Sequence, residues 1–154
     1  MKKIVAAIFA HPDDEAFGPS GTIAKYVKED ADVYLLCATK GEGGENHLLD
    51  KDERSIFEIR EEELQNSAKA LGVKQVFFLG FTDGTLCNNL YHKIADKILE
   101  ILTPLNPEIL ITNEPRGVSG HIDHVTISMV TSYVFNKLPS AKTILYHCIS
   151  EEYR

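Results

Sequence analysis

The 154-residue chain predicts an α/β fold, a Rossmann-like three-layer α/β/α sandwich with a mainly parallel five-stranded sheet. Three observations predict it. Five apolar runs of strand length recur along the chain, each separated from the next by a segment with helical spacing. The runs are nearly continuous in hydrophobic residues, which is the pattern of strands covered on both faces. The alternation of strands with helices calls for parallel pairing through right-handed crossovers.

The elements follow in order. Lys3 to Ala10 is the first β-branched, apolar run, and Thr22 to Glu29 carries the first helical pattern. The second strand is Asp32 to Ala38. It is followed by Lys40 to Lys51, which is long, polar and glycine-containing, and reads as a mobile loop placed to cover a site. A helix over Asp52 to Leu71 stops at Gly72, a residue suited to the left-handed end of a helix. Gln75 to Phe81, Glu108 to Thr112 and Thr143 to Ile149 supply the remaining strands, with helices over Leu90 to Leu102 and His124 to Lys137 between them. Repeats, low-complexity stretches and interdomain linkers are absent, so residues 1–154 are expected to form one domain.

Composition narrows the function classes. At 44% hydrophobic and 25% charged, the chain matches ordinary globular domains, and no apolar stretch approaches the roughly 18 residues of a membrane span. Met1-Lys2-Lys3 runs directly into strand-like sequence without a cleavable signal pattern, so a cytoplasmic location is expected. A net charge of -7 without a basic stretch disfavours nucleic acid as a partner. Cys37, Cys87 and Cys148 form no C-x-x-C pair; they are expected to be reduced and buried rather than to build a disulfide framework or a thiolate zinc site. A short chain ending on an apolar strand also suggests a homo-oligomer in which a second copy covers that strand.

The chemistry begins at Ala10-His11-Pro12-Asp13-Asp14-Glu15, directly after the first strand. Open α/β sheets keep their active sites at this end of the strands. Histidine and aspartate three residues apart can hold one divalent metal while a neighbouring carboxylate stays free for proton transfer. In a strand order of 3-2-1-4-5 the first and fourth strands are neighbours at the switch point, so the loop Asn113 to His124 shares their crevice. His11, Asp14 and one histidine of that loop then make a three-ligand site with a coordination position left for water, the catalytic zinc arrangement, which also suits Fe2+. Each motif taken alone also fits a capped helix start. Arg60 suits a substrate hydroxyl, carboxylate or phosphate, and equally an ion pair with Glu63 or Glu61. Asp83-Gly84 reads first as a turn, and His47, His92 and His147 have no carboxylate context. A dinucleotide site is disfavoured, because the first strand is followed by carboxylates rather than G-x-G-x-x-G.

These residues resemble the LmbE-like, or PIG-L, family of zinc-dependent N-acetylglucosaminyl deacetylases. The resemblance rests on His11-Pro12-Asp13-Asp14-Glu15 and His121-x-Asp123-His124, with Thr39 to Gly44, Arg60 with Glu63, Leu71-Gly72, and Asp83-Gly84-x-Leu86 in support. It implies that His11, Asp14 and His124 bind Zn2+, that Asp13 is the general base, that His121 is an acid or electrostatic partner, and that Asp123 orients a histidine. It further implies hydrolysis of the N-acetyl group of an amino-sugar conjugate by metal-activated water. Another N-acyl substrate and a carbohydrate-binding module without turnover stand as alternatives. Two departures from the family pattern are Ile122, where many members have proline, and Ser119, where some have tyrosine. Members are usually longer, with a further segment beyond the fifth strand.

Overall fold

The computed structural model describes residues 2–44 and 54–150. Eleven elements follow one another among them: β1 (Ile4–Phe9), α1 (Asp14–Phe17), α2 (Ser20–Lys28), β2 (Asp32–Cys37), α3 (Ile56–Leu71), β3 (Gln75–Phe78), α4 (Tyr91–Leu105), β4 (Ile109–Asn113), α5 (Gly117–Gly120), α6 (Ile122–Phe135) and β5 (Thr143–His147). The strands form one sheet in the order β3-β2-β1-β4-β5, and every pairing is parallel. Register runs from Ile4 opposite Asp32 and from Val5 opposite Ile109, which puts the C-terminal ends of β1 and β4 side by side.

Alternation along β1 feeds two cores. Val5, Ala7 and Phe9 face one layer with Val33, Leu35, Ile23 of α2, and Leu64 and Ala68 of α3. Ala6 and Ile8 face the other with Leu36, Ile94 and Ile98 of α4, and Ile127 and Val130 of α6. Period-2 strand geometry divides the apolar residues between the faces, and helices cover both. The expected three-layer parallel sandwich is therefore what the chain forms.

Several boundaries differ for identifiable reasons. α3 begins at Ile56 because Ser55 and Glu58 form a reciprocal capping box, while residues 52 and 53 of the expected helix lie outside the described residues, as do residues 45–51 of the expected loop, His47 among them. Gly72 ends this helix at φ 77, as anticipated. β3 stops at Phe78, short of the expected Phe81, and Gly80 turns the chain at φ 80. α4 continues past Leu102 through Pro104, and Asn106 closes it at φ 62 with its N–H on the Leu102 carbonyl. Of the cysteines only Cys37 is buried; Cys87 is half-buried and Cys148 exposed, so the expectation of three buried thiols is corrected. Position in the sheet decides this, since Cys37 ends the inner strand β2 and Cys148 lies beyond the edge strand β5. No helix among the described residues is long and apolar enough to cross a membrane.

Candidate metal centre

Two short helical turns not foreseen from the sequence shape the site. At the end of β1 the chain turns through Asp13, whose φ of 112 is rare for a residue with a side chain, into α1. The turn is held by the buried Glu15 carboxylate, which accepts the Asp13 N–H at 3.1 Å. At the end of β4, Glu114 accepts the N–H groups of Arg116 at 3.0 Å and Val118 at 3.2 Å, folding the loop into α5. Those N–H groups, the Arg116 amide foremost, hold the Glu114 carboxyl below its ordinary range. His121 then caps α6 by accepting the Asp123 N–H on Nδ1 at 3.2 Å. A histidine cap falls outside the usual Ser, Thr, Asp and Asn set, which explains why α6 begins two residues earlier than its pattern indicated.

The sheet order brings the two motifs into contact. His11 Nδ1 lies 3.1 Å from His124 Nε2, and Asp14 Oδ1 lies 3.1 Å from the same His124 nitrogen. Asp14 Oδ2 is 4.0 Å from His11 Nδ1 and accepts the backbone N–H groups of Ala10 and His11, each at 3.1 Å. The remaining ring nitrogens are engaged elsewhere. His124 Nδ1 meets the Gly117 carbonyl at 3.1 Å, and His11 Nε2 meets Asp83 Oδ1 at 2.8 Å and Asp123 Oδ2 at 3.3 Å. Those acceptors assign a proton to His124 Nδ1 and to His11 Nε2 in the neutral rings. His11 Nδ1 and Asp14 Oδ1 then each bring a lone pair to the lone pair of His124 Nε2, an arrangement that a shared cation stabilises, and one nitrogen each of His11, His121 and His124 also lie within 4.8 Å of one another. Two zinc ligands about 2.0–2.1 Å from the ion stand about 3.3 Å apart at the tetrahedral angle, close to both 3.1 Å separations. The donor set fits a divalent metal.

Electrostatics reinforce the pairing. Burial opposes ionisation of Asp14, but the hydrogen bond and charge of His124 and the His11 N–H outweigh it, holding the carboxyl below its ordinary range. Burial likewise disfavours charge on His124, and Asp14 overcomes it, so the imidazole keeps a proton to higher pH than usual. Asp13 moves the other way. Its burial exceeds the opposing effect of Arg60 and raises its pKa.

His11, Asp14 and His124 converge as described. Asp123 is buried and faces His11, not its sequence neighbours, while accepting the N–H groups of Gly84 at 2.8 Å and Leu86 at 3.1 Å. His121 is exposed, edge-on to His11 and stacked on His124. Arg60 reaches Asp13 Oδ2 and the Pro12 carbonyl, both at 2.5 Å, and pairs with Glu63 at 2.7 Å, so its ion pair and its approach to the site are both present. Asp83 and Gly84 form the expected turn, and that turn also brings Asp83 to the site, where it pairs with His11 and accepts the Gly43 N–H at 3.1 Å. Its signal was Asp-Gly-x-Leu after a strand. The spacing alone did not reveal the approach to His11, which depends on the sheet order. His11, Asp13, Arg60, Asp83 and His121 line a cleft of about 400 Å³ with Gly41, Gly43 and Gly44.

The family model described as PIG-L, GlcNAc-PI de-N-acetylase, matches residues 6–135. Over 153 residues the chain is 32% identical to the "Probable N-acetyl-alpha-D-glucosaminyl L-malate deacetylase 2" of Bacillus cereus, an alignment covering 97% of this chain and 69% of that protein. It is 33% identical over 152 residues to a 1D-myo-inositol 2-acetamido-2-deoxy-alpha-D-glucopyranoside deacetylase of Kineococcus radiotolerans, covering 80% of this chain and 42% of the other. Among solved structures, the N,N'-diacetylchitobiose deacetylase of Pyrococcus horikoshii shares the fold at a TM-score of 0.82 and 24% identity, over 94% of this chain and 60% of that one.

Proposed function

The chain belongs to the PIG-L family, and from that premise we propose that it is a metal-dependent hydrolase removing the N-acetyl group from an N-acetylglucosamine-containing conjugate. The products are acetate and a free amine. The observation that carries this reading is that His11 Nδ1 and Asp14 Oδ1 each come within 3.1 Å of His124 Nε2 beside Asp13. His11, Asp14 and His124 would hold Zn2+, with Fe2+ as the other candidate for the same donors. Bound there, zinc supplies Lewis acidity to the amide carbonyl and brings the pKa of a water to about 7.

The chain's own groups account for the proton movements. Asp13 takes the proton of the attacking water; its carboxyl is shifted upward, toward the range where a base works near neutrality. Arg60 occupies Asp13 Oδ2, which leaves Oδ1 to accept that proton. His121 has Nδ1 committed to the Asp123 N–H, so Nε2 is the atom that donates toward the leaving amine or the oxyanion. Asp123 and Asp83 fix the His11 ring through Nε2. Three of the five Arg60 donors are used by Asp13, Pro12 and Glu63; the others are available to a sugar hydroxyl in the cleft. A small amino-sugar conjugate is the expected partner, and a cytoplasmic location accords with it.

The test combines metal content with acetate release from N-acetylglucosamine conjugates for the parent, His11→Ala, His124→Ala and Asp13→Ala. Near one equivalent of metal in the parent, lost with activity in both histidine variants, is expected. Asp13→Ala should keep the metal and lose about 10²–10⁴-fold in rate. A parent that takes up no metal after reconstitution overturns the proposal.

A further inference from the structure

A second cleft, of about 270 Å³, opens on the other side of the same ridge. Asp13 borders both clefts. His11 and His121 face the first, whereas Asp14 and His124 face the second. A bond hydrolysed at the ridge therefore has one half on each side. The linings differ in chemistry. The first cleft offers Arg60, Asp83 and glycine backbone, which suits a hydroxyl-rich sugar. The second offers Phe17, Val118 and Ile149, which suits hydrocarbon.

Two further features mark the second cleft as a site. Asn113, at the C-terminal end of β4, is 2% exposed and lines it, and its Nδ2 has no hydrogen-bond partner among the described residues. A buried amide left without a partner is destabilising, and a carbonyl or carboxylate oxygen in the cleft relieves that. Gly18 lies against the His147 ring so closely that a Cβ would stand 2.2 Å from Nε2, so these two close one wall of the cleft, and at another wall Ser119 contributes only a hydroxymethyl group. The methyl of an acetyl group needs about one water's share of volume, roughly 30 Å³, far less than the cleft offers.

Resting on the deacylation chemistry above, we propose that this second cleft is the acyl subsite and that it admits N-acyl groups longer than acetyl. Water oxygen bonds to the acyl carbon, the C–N bond breaks, and the nitrogen takes the proton. The carboxylate is left in the second cleft beside Asn113 and the amine in the first.

The experiment uses acetate and hexanoate as product probes, titrated calorimetrically into the zinc-loaded protein and into Ser119→Phe. Turnover of N-acetyl- and N-hexanoylglucosamine is followed in parallel by free amine. Burying a methylene is worth about fourfold in affinity, so hexanoate should bind at least about tenfold more tightly than acetate even in a half-open cleft. Ser119→Phe should erase that preference and lower the hexanoyl-to-acetyl rate ratio by a similar factor, with its unfolding temperature and metal content showing an intact fold. Equal affinity for the two carboxylates in the parent, or a preference that Ser119→Phe leaves in place, overturns the acyl subsite. If hexanoate is preferred and displaced by Ser119→Phe while no amide is hydrolysed, the subsite stands and the deacetylase reading fails.

Discussion

Asp123→Asn separates the structural work of this carboxylate from its effect on the metal ligands. In the parent, Oδ2 accepts the Gly84 N–H at 2.8 Å and faces His11 Nε2 at 3.3 Å, and Oδ1 accepts the Leu86 N–H at 3.1 Å. Asparagine keeps one of these oxygens and replaces the other with an NH₂ that points a donor at a donor. If the Oδ1 position becomes nitrogen, the Leu86 N–H is orphaned; if the Oδ2 position does, the Gly84 N–H and the His11 contact both go. Side-chain exposure is 2%, so water does not substitute. One unsatisfied buried donor costs about 1–3 kcal/mol, which for a chain of this size lowers the unfolding temperature by roughly 2–12 °C. Loosening His11 should also weaken metal binding by about 10–100-fold. Thermal unfolding of the metal-free protein reads the first effect, and competition with a chromophoric zinc chelator reads the second. A variant that melts with the parent and binds zinc equally well would refute the assignment of Asp123 as the group that orients His11.

Arg60→Lys keeps the charge but loses the fork that spans Asp13, Pro12 and Glu63. We expect kcat to fall more than about tenfold with KM moved less than about threefold, the signature of a displaced base; a raised KM at unchanged kcat would make Arg60 a substrate contact only. Zinc affinity should weaken as pH falls through the His124 pKa, by up to about tenfold per unit, because the raised pKa keeps a competing proton on the ring; a chelator titration that is flat from pH 5.5 to 8.5 contradicts this. In the metal-free protein, the His124 contribution to stability is complete below the ordinary histidine pKa and disappears as pH rises through the raised value. The contribution of Asp14, whose pKa is depressed, disappears as pH falls through its own. Gly72→Ala should cost about 1–2 kcal/mol, since φ is 77 and the new Cβ would stand 2.7 Å from Val27 Cγ1. Calorimetry should show that loss with zinc affinity unchanged.

The layers and strand order were legible because nearly continuous strand hydrophobicity and strict alternation with helices leave few arrangements of a parallel sheet. The metal candidates were legible for the same reason, since β1 and β4 can be placed side by side before any side chain is considered. The two four-residue turns, α1 and α5, were not. They carry too few residues for a periodic signal, and they depend on Asp13 at φ 112 and Val118 at φ 62, conformations that their side chains disfavour and that Glu15 and Glu114 hold in place. The approach of Asp83 to His11 was not legible, because a turn signature and a histidine partner look identical in sequence. Only the packing of the loop after β3 against β1 distinguishes them.

Lone pairs of His11 and Asp14 brought to within 3.1 Å of that of His124 are costly in the absence of a cation, so the fold must hold them from outside. Each candidate ligand is tied through a different atom from the one it offers: Asp14 by Oδ2 to the backbone of Ala10 and His11, His124 by Nδ1 to Gly117, and His11 by Nε2 to Asp83 and Asp123. Those tethers come from the end of β1, the loop after β3, α5 and α6. No single element fixes the triad. The geometry therefore depends on the sheet order bringing these segments together. A perturbation at the β3 loop, such as removal of the Asp123 bonds to Gly84 and Leu86, should reach the metal through His11 although the loop donates no ligand itself. It follows that metal affinity and fold stability should be coupled at Asp123 and uncoupled at Gly72, where the helix end is remote from every tether.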